Sequence, residues 1–411
     1  MPFVKSCSHD NPDPWGSRLA DVDARVFHAL RICKPNTPVF PNLRVLAWNP
    51  HNFSQPGLNL FLSTNLLEFS SVKACPAMLV ALKQKCTRLR KLNIHTDYPL
   101  DPDFIPSLSD LVVHLPSLET VHSPVPLTDD AIVHLSMLPN LKELKIPNDA
   151  VDFLRAHERN ASHPMFSTLV VFDTYAYDLS SVVSLLTMCR PRKLRVLILE
   201  TESSQACNAE RLFIALASCC SHDAFQSICF FIRDLSNHNP FIHPRQNPVT
   251  LPPFPAHVLR HLLVFRKLWN LVVDLPFDLD DNVVGQMASS WPGMLQIVVQ
   301  FPVTEDHPKI TLRGLVAIAK HWHQLRRVTL VLKVSARDLA SLQRDIEGLQ
   351  KNNQIGQIVL ADAWIDNDVN PAHLSTFLQT LFPKLFYINV DSRRQMPVWN
   401  QITSHLQSGR R

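Results

Sequence analysis

One short pattern recurs along this chain and constrains it more than any other feature. An apolar residue is followed after two positions by a second, and after one more position by a third. It occurs as Leu43, Leu46, Trp48; Leu89, Leu92, Ile94; Leu141, Leu144, Ile146; and Leu194, Leu197, Leu199. It returns as Leu268, Leu271, Val273; Leu325, Val328, Leu330; Ile355, Ile358, Leu360; and Leu385, Ile388, Val390. Weaker copies begin at Leu66, Leu118, Leu169, Phe225 and Leu295, making about 13 units. First positions lie 23 to 31 residues apart, with one gap of 43 between Phe225 and Leu268. The last two apolar positions flank a single variable one, the period of a short strand with one buried face. The remaining residues of each unit suffice for a helix that returns the chain to the next strand.

The segments between the strand patterns read as such helices. Thr128 or Asp129 offers an N-cap ahead of Ala131, Ile132, Leu135 and Leu138. Asp280 and Asp281 precede Val283, Val284 and Met287, and Thr311 precedes Leu312, Leu315, Ile318 and Ala319. Proline follows the helical stretches at Pro139, Pro292 and Pro383, where it ends a helix and admits the turn into a strand. One unit cannot bury its own apolar face, so the copies must stack. The spacing is that of leucine-rich repeats. The predicted fold is α/β: a leucine-rich-repeat solenoid, or horseshoe, with parallel strands on the concave face and helices on the convex face.

The expected organisation has three parts. Residues 1–35 form a disordered start and an N-terminal cap helix at about 18–30. Residues 36–395 form the repeat domain, as one continuous array. Residues 396–411 form a C-terminal tail, with at most one further helical turn. Within the array, 232–262 is an irregular insert, broken by Pro240, Pro244, Pro248 and Pro252 and ending in a helix from about Ala256 to Phe265.

Composition excludes several function classes. The chain has 411 residues and only 8 Gly, and the closest glycine pairs, Gly285/Gly293 and Gly348/Gly356, are eight residues apart. Phosphate-cradling loops need clustered glycines, so neither a P-loop nor a dinucleotide turn is present. Net charge is +4, too small and too evenly spread along the chain to signal a nucleic-acid patch. The 9 Cys are odd in number and irregularly spaced, which argues against a disulfide framework and for a reducing compartment, cytoplasmic or nuclear. No secretory signal and no apolar run of membrane-spanning length is found.

No Gly-x-Ser-x-Gly, His-Glu-x-x-His or Cys-x-x-Cys motif occurs. The local ligand-like groups are His321-Trp-His323 and Cys219-Cys220-Ser-His222. The cysteines read as core filler, and His321 falls where a helix C-terminus favours a cation. Trp48, Trp291 and Trp322 read as core. No catalytic residue, metal site or cofactor is expected.

The expected functional surface is the concave face. It carries the residues two, four and six after the first apolar position of each unit. In the first half this set is polar: Glu68, Lys91, Asn93, His95, Thr120, His122, Glu143, Lys145, Asp173 and Tyr175. Later it turns apolar: Val196, Ile198, Cys229, Phe231, Val272, Ile297, Val299 and Phe301. β-branched residues suit strands in any case, and the insert could cover them. Exposed, they would form an apolar patch for a protein partner. The candidate partner-binding residues are therefore Glu68, Lys91, Asn93, His95, His122, Glu143, Lys145, Asp173, Tyr175, Phe231 and Phe301.

The stretch Leu127-Thr-Asp-Asp-Ala-Ile-Val-His-Leu-Ser-Met-Leu-Pro-Asn-Leu-Lys-Glu-Leu144 resembles the repeats of F-box/leucine-rich-repeat proteins. Leu262-Leu-Val-Phe-Arg-Lys-Leu268, Leu279-Asp-Asp-Asn282, Ser290-Trp-Pro-Gly293 and Thr311-Leu-Arg-Gly-Leu-Val-Ala-Ile-Ala-Lys-His321 resemble the expanded F-box families of mushroom-forming fungi. The resemblance covers about residues 18–391. It implies a target-recognition role in a cullin–RING ubiquitin ligase, with the repeats holding an unidentified target protein. Residues 1–35 show no F-box and no Leu-Pro-x-Glu-like opening. A Skp-type adaptor is therefore expected only if an F-box lies upstream. The alternative is a ligase-independent scaffold or interaction protein. Either way the expectation is a monomer that binds protein, not nucleic acid or membrane.

Overall fold

The computed structural model describes residues 29, 32–33, 38–48, 55–95, 101–147, 165–176, 178–202, 208–233, 254–300, 308–344, 346, 348, 352–390 and 396–408. The cap helix expected at 18–30 lies outside them apart from Ala29, as do residues 234–253 of the insert and Phe301.

The chain divides into two compact units, residues 1–118 with 122–124 and residues 119–121 with 125–411. The division falls within β4 (Thr120–His122), which has 3 residues against 4 in Lys91–Ile94 and 5 in Glu143–Pro147.

The first unit holds β1 (Val45–Trp48), β2 (Glu68–Ser71) and β3 (Lys91–Ile94), paired in parallel in that order. Between and after them come α1 (Gln55–Leu58), α2 (Pro76–Lys85) and α3 (Phe104–Val113).

The second unit is larger. After α4 (Asp129–Met137), its parallel strands run β5 (Glu143–Pro147), β6 (Val171–Ala176), β7 (Val196–Glu202), β8 (Ser227–Arg233), β10 (Asn270–Asp278), β11 (Gln296–Gln300), β12 (Arg327–Val334), β13 (Gln357–Ile365) and β14 (Tyr387–Val390). The two-residue β9 (Phe254–Pro255) pairs with the far end of β10. Helices alternate with these strands: α5 (Leu179–Cys189), α6 (Ala209–Cys219), a 3-10 helix (Ala256–Val264), α7 (Asp281–Ser290), α8 (Leu312–His321), α9 (Ala336–Leu342), α10 (Pro371–Leu381) and α11 (Met396–Ser408). Both units are thus α/β with parallel strands.

The recurring triplet is the imprint of one hydrogen-bonding device. In several units the first residue donates its N–H back three positions to a residue at the end of the helix. Leu194 bonds Pro191 at 3.0 Å, Leu268 bonds Phe265 at 3.0 Å, Leu325 bonds Trp322 at 3.2 Å and Leu385 bonds Phe382 at 2.9 Å. This tight turn buries the leucine completely. The residue after it then bonds the carbonyl of the previous unit: Arg195 to Val170, Gln226 to Arg195 and Arg326 to Leu295, each at 2.8 Å. From there the strand alternates, so the second and third apolar residues face the helices. The ladder is filled without gaps, and Leu144, Phe172, Leu197, Ile228 and Leu271 stand in register, each at most 1% exposed. Trp48, Trp291 and Trp322 are buried, and the Trp291 indole donates to the Leu262 carbonyl at 3.3 Å.

The helix expected at about 256–265 is present over Ala256–Val264 and winds as a 3-10 helix. At about 2.0 Å rise per residue against 1.5 Å, its nine residues reach about 18 Å, a span that needs about twelve in an α-helix. Residues 396–411, expected as a tail, instead contain α11. Its Trp399, Ile402 and Leu406 fall on one helical stripe and are 0–1% exposed, and Gln379 Nε2 donates to the Leu406 carbonyl at 3.1 Å. No helix among the described residues is long and apolar enough to cross a membrane.

Candidate functional site

Each strand turns its odd-numbered ladder positions away from the helices, and these side chains form the open face of the sheet. In the first unit Glu68 and Lys91 stand opposite each other on β2 and β3, with Lys91 Nζ 2.8 Å from Glu68 Oε1. Ser70 faces Asn93 one step further. Asn93 is half-buried, and its Oδ1 has no hydrogen-bond partner among the described residues. His95 is exposed just beyond β3 and donates its backbone N–H to Ser71 at 2.8 Å. His122 ends β4 and is half-buried.

In the second unit Glu143 lies opposite Val171, and Lys145 lies opposite Asp173. Lys145 Nζ sits 2.7 Å from Asp173 Oδ2, with the carboxylate the more buried partner. Tyr175, half-buried one step along β6, donates its hydroxyl to Glu202 Oε1 at 3.3 Å. The register thus pairs Glu68 with Lys91 in the first unit, and Lys145 with Asp173 in the second.

From β7 to β11 the same column is apolar. Ile198, Cys229, Val272 and Val298 stand in register on β7, β8, β10 and β11. Its centre is covered: Cys229 is 7% and Val272 3% exposed, while Ile198 and Val298 are half-buried. Asp274, next on the same face, is also buried and accepts the Ile232 N–H at 3.2 Å. The chain leaving the insert returns here through β9, where Phe254 packs on Phe277 with ring centroids 5.8 Å apart. Phe231 is half-buried at the margin.

The expected set was out of step on β11. Ile297 and Val299 pair with Leu271 and Val273 on the helix side, and both are buried. The unit starts at Met294, which is fully buried, and not at the half-buried Leu295. A Leu beside a Met drew the register one residue too far, which exchanges the two faces of a strand. The open-face residues of β11 are Gln296 and Val298.

An amide ladder that the sequence reading missed crosses the centre of this face. Asn270 Nδ2 donates to Ser227 Oγ at 2.8 Å and to Cys229 Sγ at 3.4 Å. Asn270 Oδ1 and the neighbouring Gln296 Nε2 are buried and find no partner among the described residues. Only the strand register brings these residues together, because they lie on three separate units.

Three buried cysteines have thiols displaced from their ordinary value. Burial pushes the Cys229 thiol up to about 11, the Cys86 thiol to about 11 and the Cys220 thiol to about 12, the last also opposed by Cys219. Such thiols stay protonated at neutral pH and are poor nucleophiles. His321, placed at a helix C-terminus where a cation was expected, is pushed below the ordinary histidine value by partial burial and by Lys320 and His323. His257 and His261 each approach Glu210 Oε1 at 3.6 Å. No group of three His, Cys, Asp or Glu among the described residues could hold a metal ion.

No family model matches the chain. No curated protein matches it. Among solved structures it is similar to that titled "Crystal structure of Rad7 and Elc1 complex in yeast", with a TM-score of 0.34 and 13% identity, over 89% of this chain and 82% of that one.

Proposed function

We propose that the chain is a leucine-rich-repeat protein-binding module of the kind that recognises targets for F-box substrate receptors of cullin–RING ubiquitin ligases, and that it catalyses nothing itself. The observation that carries the binding reading is the open sheet face. Its side chains stand at fixed ladder positions on a backbone held by the sheet, so their geometry is set before any partner arrives. Such preorganisation lowers the cost of association. The ion-paired half, with Glu143, Lys145, Asp173 and Tyr175, supplies specificity, and Phe231 supplies an apolar contact beside it. Glu68, Lys91, Asn93, His95 and His122 extend the same kind of surface in their own strands. The ligase part of the reading rests on the resemblance of the repeats, and a cytoplasmic or nuclear location accompanies it.

The test is affinity capture of the tagged full chain from the organism that makes it, with mass spectrometry of the retained proteins. A target held together with a Skp-type adaptor and cullin is the expected result. A target held without adaptor and cullin overturns the ligase part and leaves a scaffold. No target that depends on Lys145, Asp173 or Phe231 overturns the binding face.

A further inference from the structure

Net charge is +4, and along the chain the charges look evenly mixed. The fold of the second unit sorts them. The loops that lead from helix to strand, 190–195, 220–226, 265–269, 291–295, 322–326, 352–356 and 382–386, carry eight Arg or Lys: four in the first, two in the third, one in the fifth and one in the last. Asp223 is their one acidic residue. The opposite edge, where strands lead into helices, is the more acidic among the described residues, with Asp178, Asp278, Asp280, Asp281, Asp366 and Asp368 beside Lys309, whose Nζ sits 2.5 Å from Asp278 Oδ2.

The basic rim has a defined order. Backbone hydrogen bonds tie Gln226 to Arg195 at 2.8 Å, Trp269 to Gln226 at 2.9 Å, Leu295 to Trp269 at 2.8 Å and Arg326 to Leu295 at 2.8 Å; Phe386 bonds Gly356 at 3.0 Å. The row therefore reads Arg195, Gln226, Trp269, Leu295, Arg326, Gly356, Phe386, one residue per strand. Arg195 and Arg326 are exposed, and so are Trp269 at 38% and Phe386 at 45%. Arg266 and Lys267 are exposed in the turn that leads into Trp269. Cations near helix C-termini complement the helix dipole, which accounts for Arg190 at the C-cap of α5. It does not account for large aromatic residues held at the surface midway between and beyond the arginines.

We propose that this rim is a docking surface for an extended acidic segment of a protein partner. The inference rests on reading the chain as a protein-binding module and adds a second surface and a partner chemistry to it. With strands about 4.8 Å apart, the six steps from β7 to β14 span about 29 Å, the reach of about nine extended residues. Carboxylates pair with the guanidinium forks of Arg195 and Arg326 and with Arg266 and Lys267. Apolar side chains between them rest on Trp269 and Phe386. A nucleic-acid strand fits less well. It carries a charge on every unit, whereas this row is charged at only two of its seven positions, Arg195 and Arg326, with three uncharged positions between them.

The test uses the full chain and a fluorescein-labelled peptide, Glu-Phe-Glu-Leu-Glu-Phe-Glu-Leu-Glu, read by fluorescence anisotropy. Saturable binding is expected, weakened about tenfold or more by Arg195→Glu with Arg326→Glu and about threefold by Trp269→Ala. Asp278→Asn, on the acidic edge, leaves it unchanged. Circular dichroism checks the fold, and if the reversed pair unfolds, Arg195→Gln with Arg326→Gln replaces it, with about fivefold weakening expected. Absence of peptide binding, equal affinity in the rim variants, or tighter binding of a nine-nucleotide oligouridine overturns the proposal. Because the peptide is read on the purified chain, its failure leaves the open-face reading intact, while failure of that reading shows in the capture experiment.

Discussion

Asp281 Oδ1 accepts the backbone N–H of Gly314 at 3.0 Å, from the start of one helix to the start of the next. The same carboxylate accepts the Thr311 N–H at 2.7 Å and the Thr311 hydroxyl at 2.6 Å. The first N–H groups of a helix have no partner within it. Here the preceding unit satisfies that of Gly314, the Thr311 hydroxyl accepts that of Arg313 at 3.2 Å, and the negative charge of Asp281 lies at the positive end of α8. Unit-to-unit stacking in this region is thus polar as well as apolar.

Gly314→Ala and Gly285→Ala are expected to change stability in opposite directions. Both glycines lie in helices, where alanine is intrinsically better by about 0.5–1 kcal/mol. A Cβ on Gly285 meets nothing within 4 Å, so that variant gains stability. A Cβ on Gly314 would lie 2.7 Å from Asp281 Oδ1 and 2.8 Å from Ile310 Cγ2. The clash disrupts the cap and costs about 1–3 kcal/mol. Urea unfolding of the two variants checks this, and a gain in stability for Gly314→Ala would show that the carboxylate moves aside freely.

Asn352 is expected to be among the least replaceable polar residues. It is fully buried, and its amide donates to the carbonyls of Trp322 and Leu325. Its Oδ1 accepts the Gln354 and Ile355 N–H groups at 2.8 and 3.1 Å, which shapes the turn into β13. Asn352→Leu keeps the number and branching of the side-chain heavy atoms but strands several buried groups, at about 1–3 kcal/mol for each that finds no water. A fall in thermal midpoint well beyond that of a surface Asn→Leu change, such as Asn353→Leu, is the expected measurement.

These examples mark what was legible in the sequence. The first leucine of each unit was, because its N–H must close a turn and its side chain must vanish into the core, which leaves few substitutes. The alternation after it followed directly, and with it the placing of Lys145 and Asp173. The slip on β11 came from Met294 filling a leucine's place beside a real leucine. Cys229 and Val272 read correctly as open-face positions, but their burial, 7% and 3% exposed, left no mark in the strand pattern. The link from Asp281 to Gly314 spans 33 positions, and the row from Arg195 to Trp269 spans 74, so neither leaves a local signal.

The buried cysteines predict a pH dependence. Folding raises the thiols of Cys86 and Cys229 to about 11 and Cys220 to about 12, above the ordinary 9.0, chiefly through burial. The folded chain therefore holds protons that the unfolded chain releases as pH rises past 9.0. This contribution to stability is complete below pH 9.0 and is lost as pH climbs toward the folded values. Stability measured by urea unfolding should fall from pH 9 upward, and Cys220→Ala should lessen that slope. At neutral pH iodoacetamide should label exposed Cys33 and spare these three.

The Lys145–Asp173 pair separates holding the fold from binding a partner. Its nitrogen and oxygen lie 2.7 Å apart, with side chains 38% and 18% exposed. A pair this open to water contributes about 0–1 kcal/mol, so Lys145→Ala should leave the unfolding midpoint nearly unchanged. Retention of the captured target should nevertheless fall about tenfold, equivalent to about 1.4 kcal/mol. The exchanged variant, Lys145→Asp with Asp173→Lys, rebuilds an ion pair between β5 and β6 with its polarity reversed. A partner that reads the two charges in their native order should not recover on this variant. A pair that merely braces the sheet would support binding equally well in either order. Full recovery of target binding by the exchanged variant would therefore remove Lys145 and Asp173 from the recognition surface.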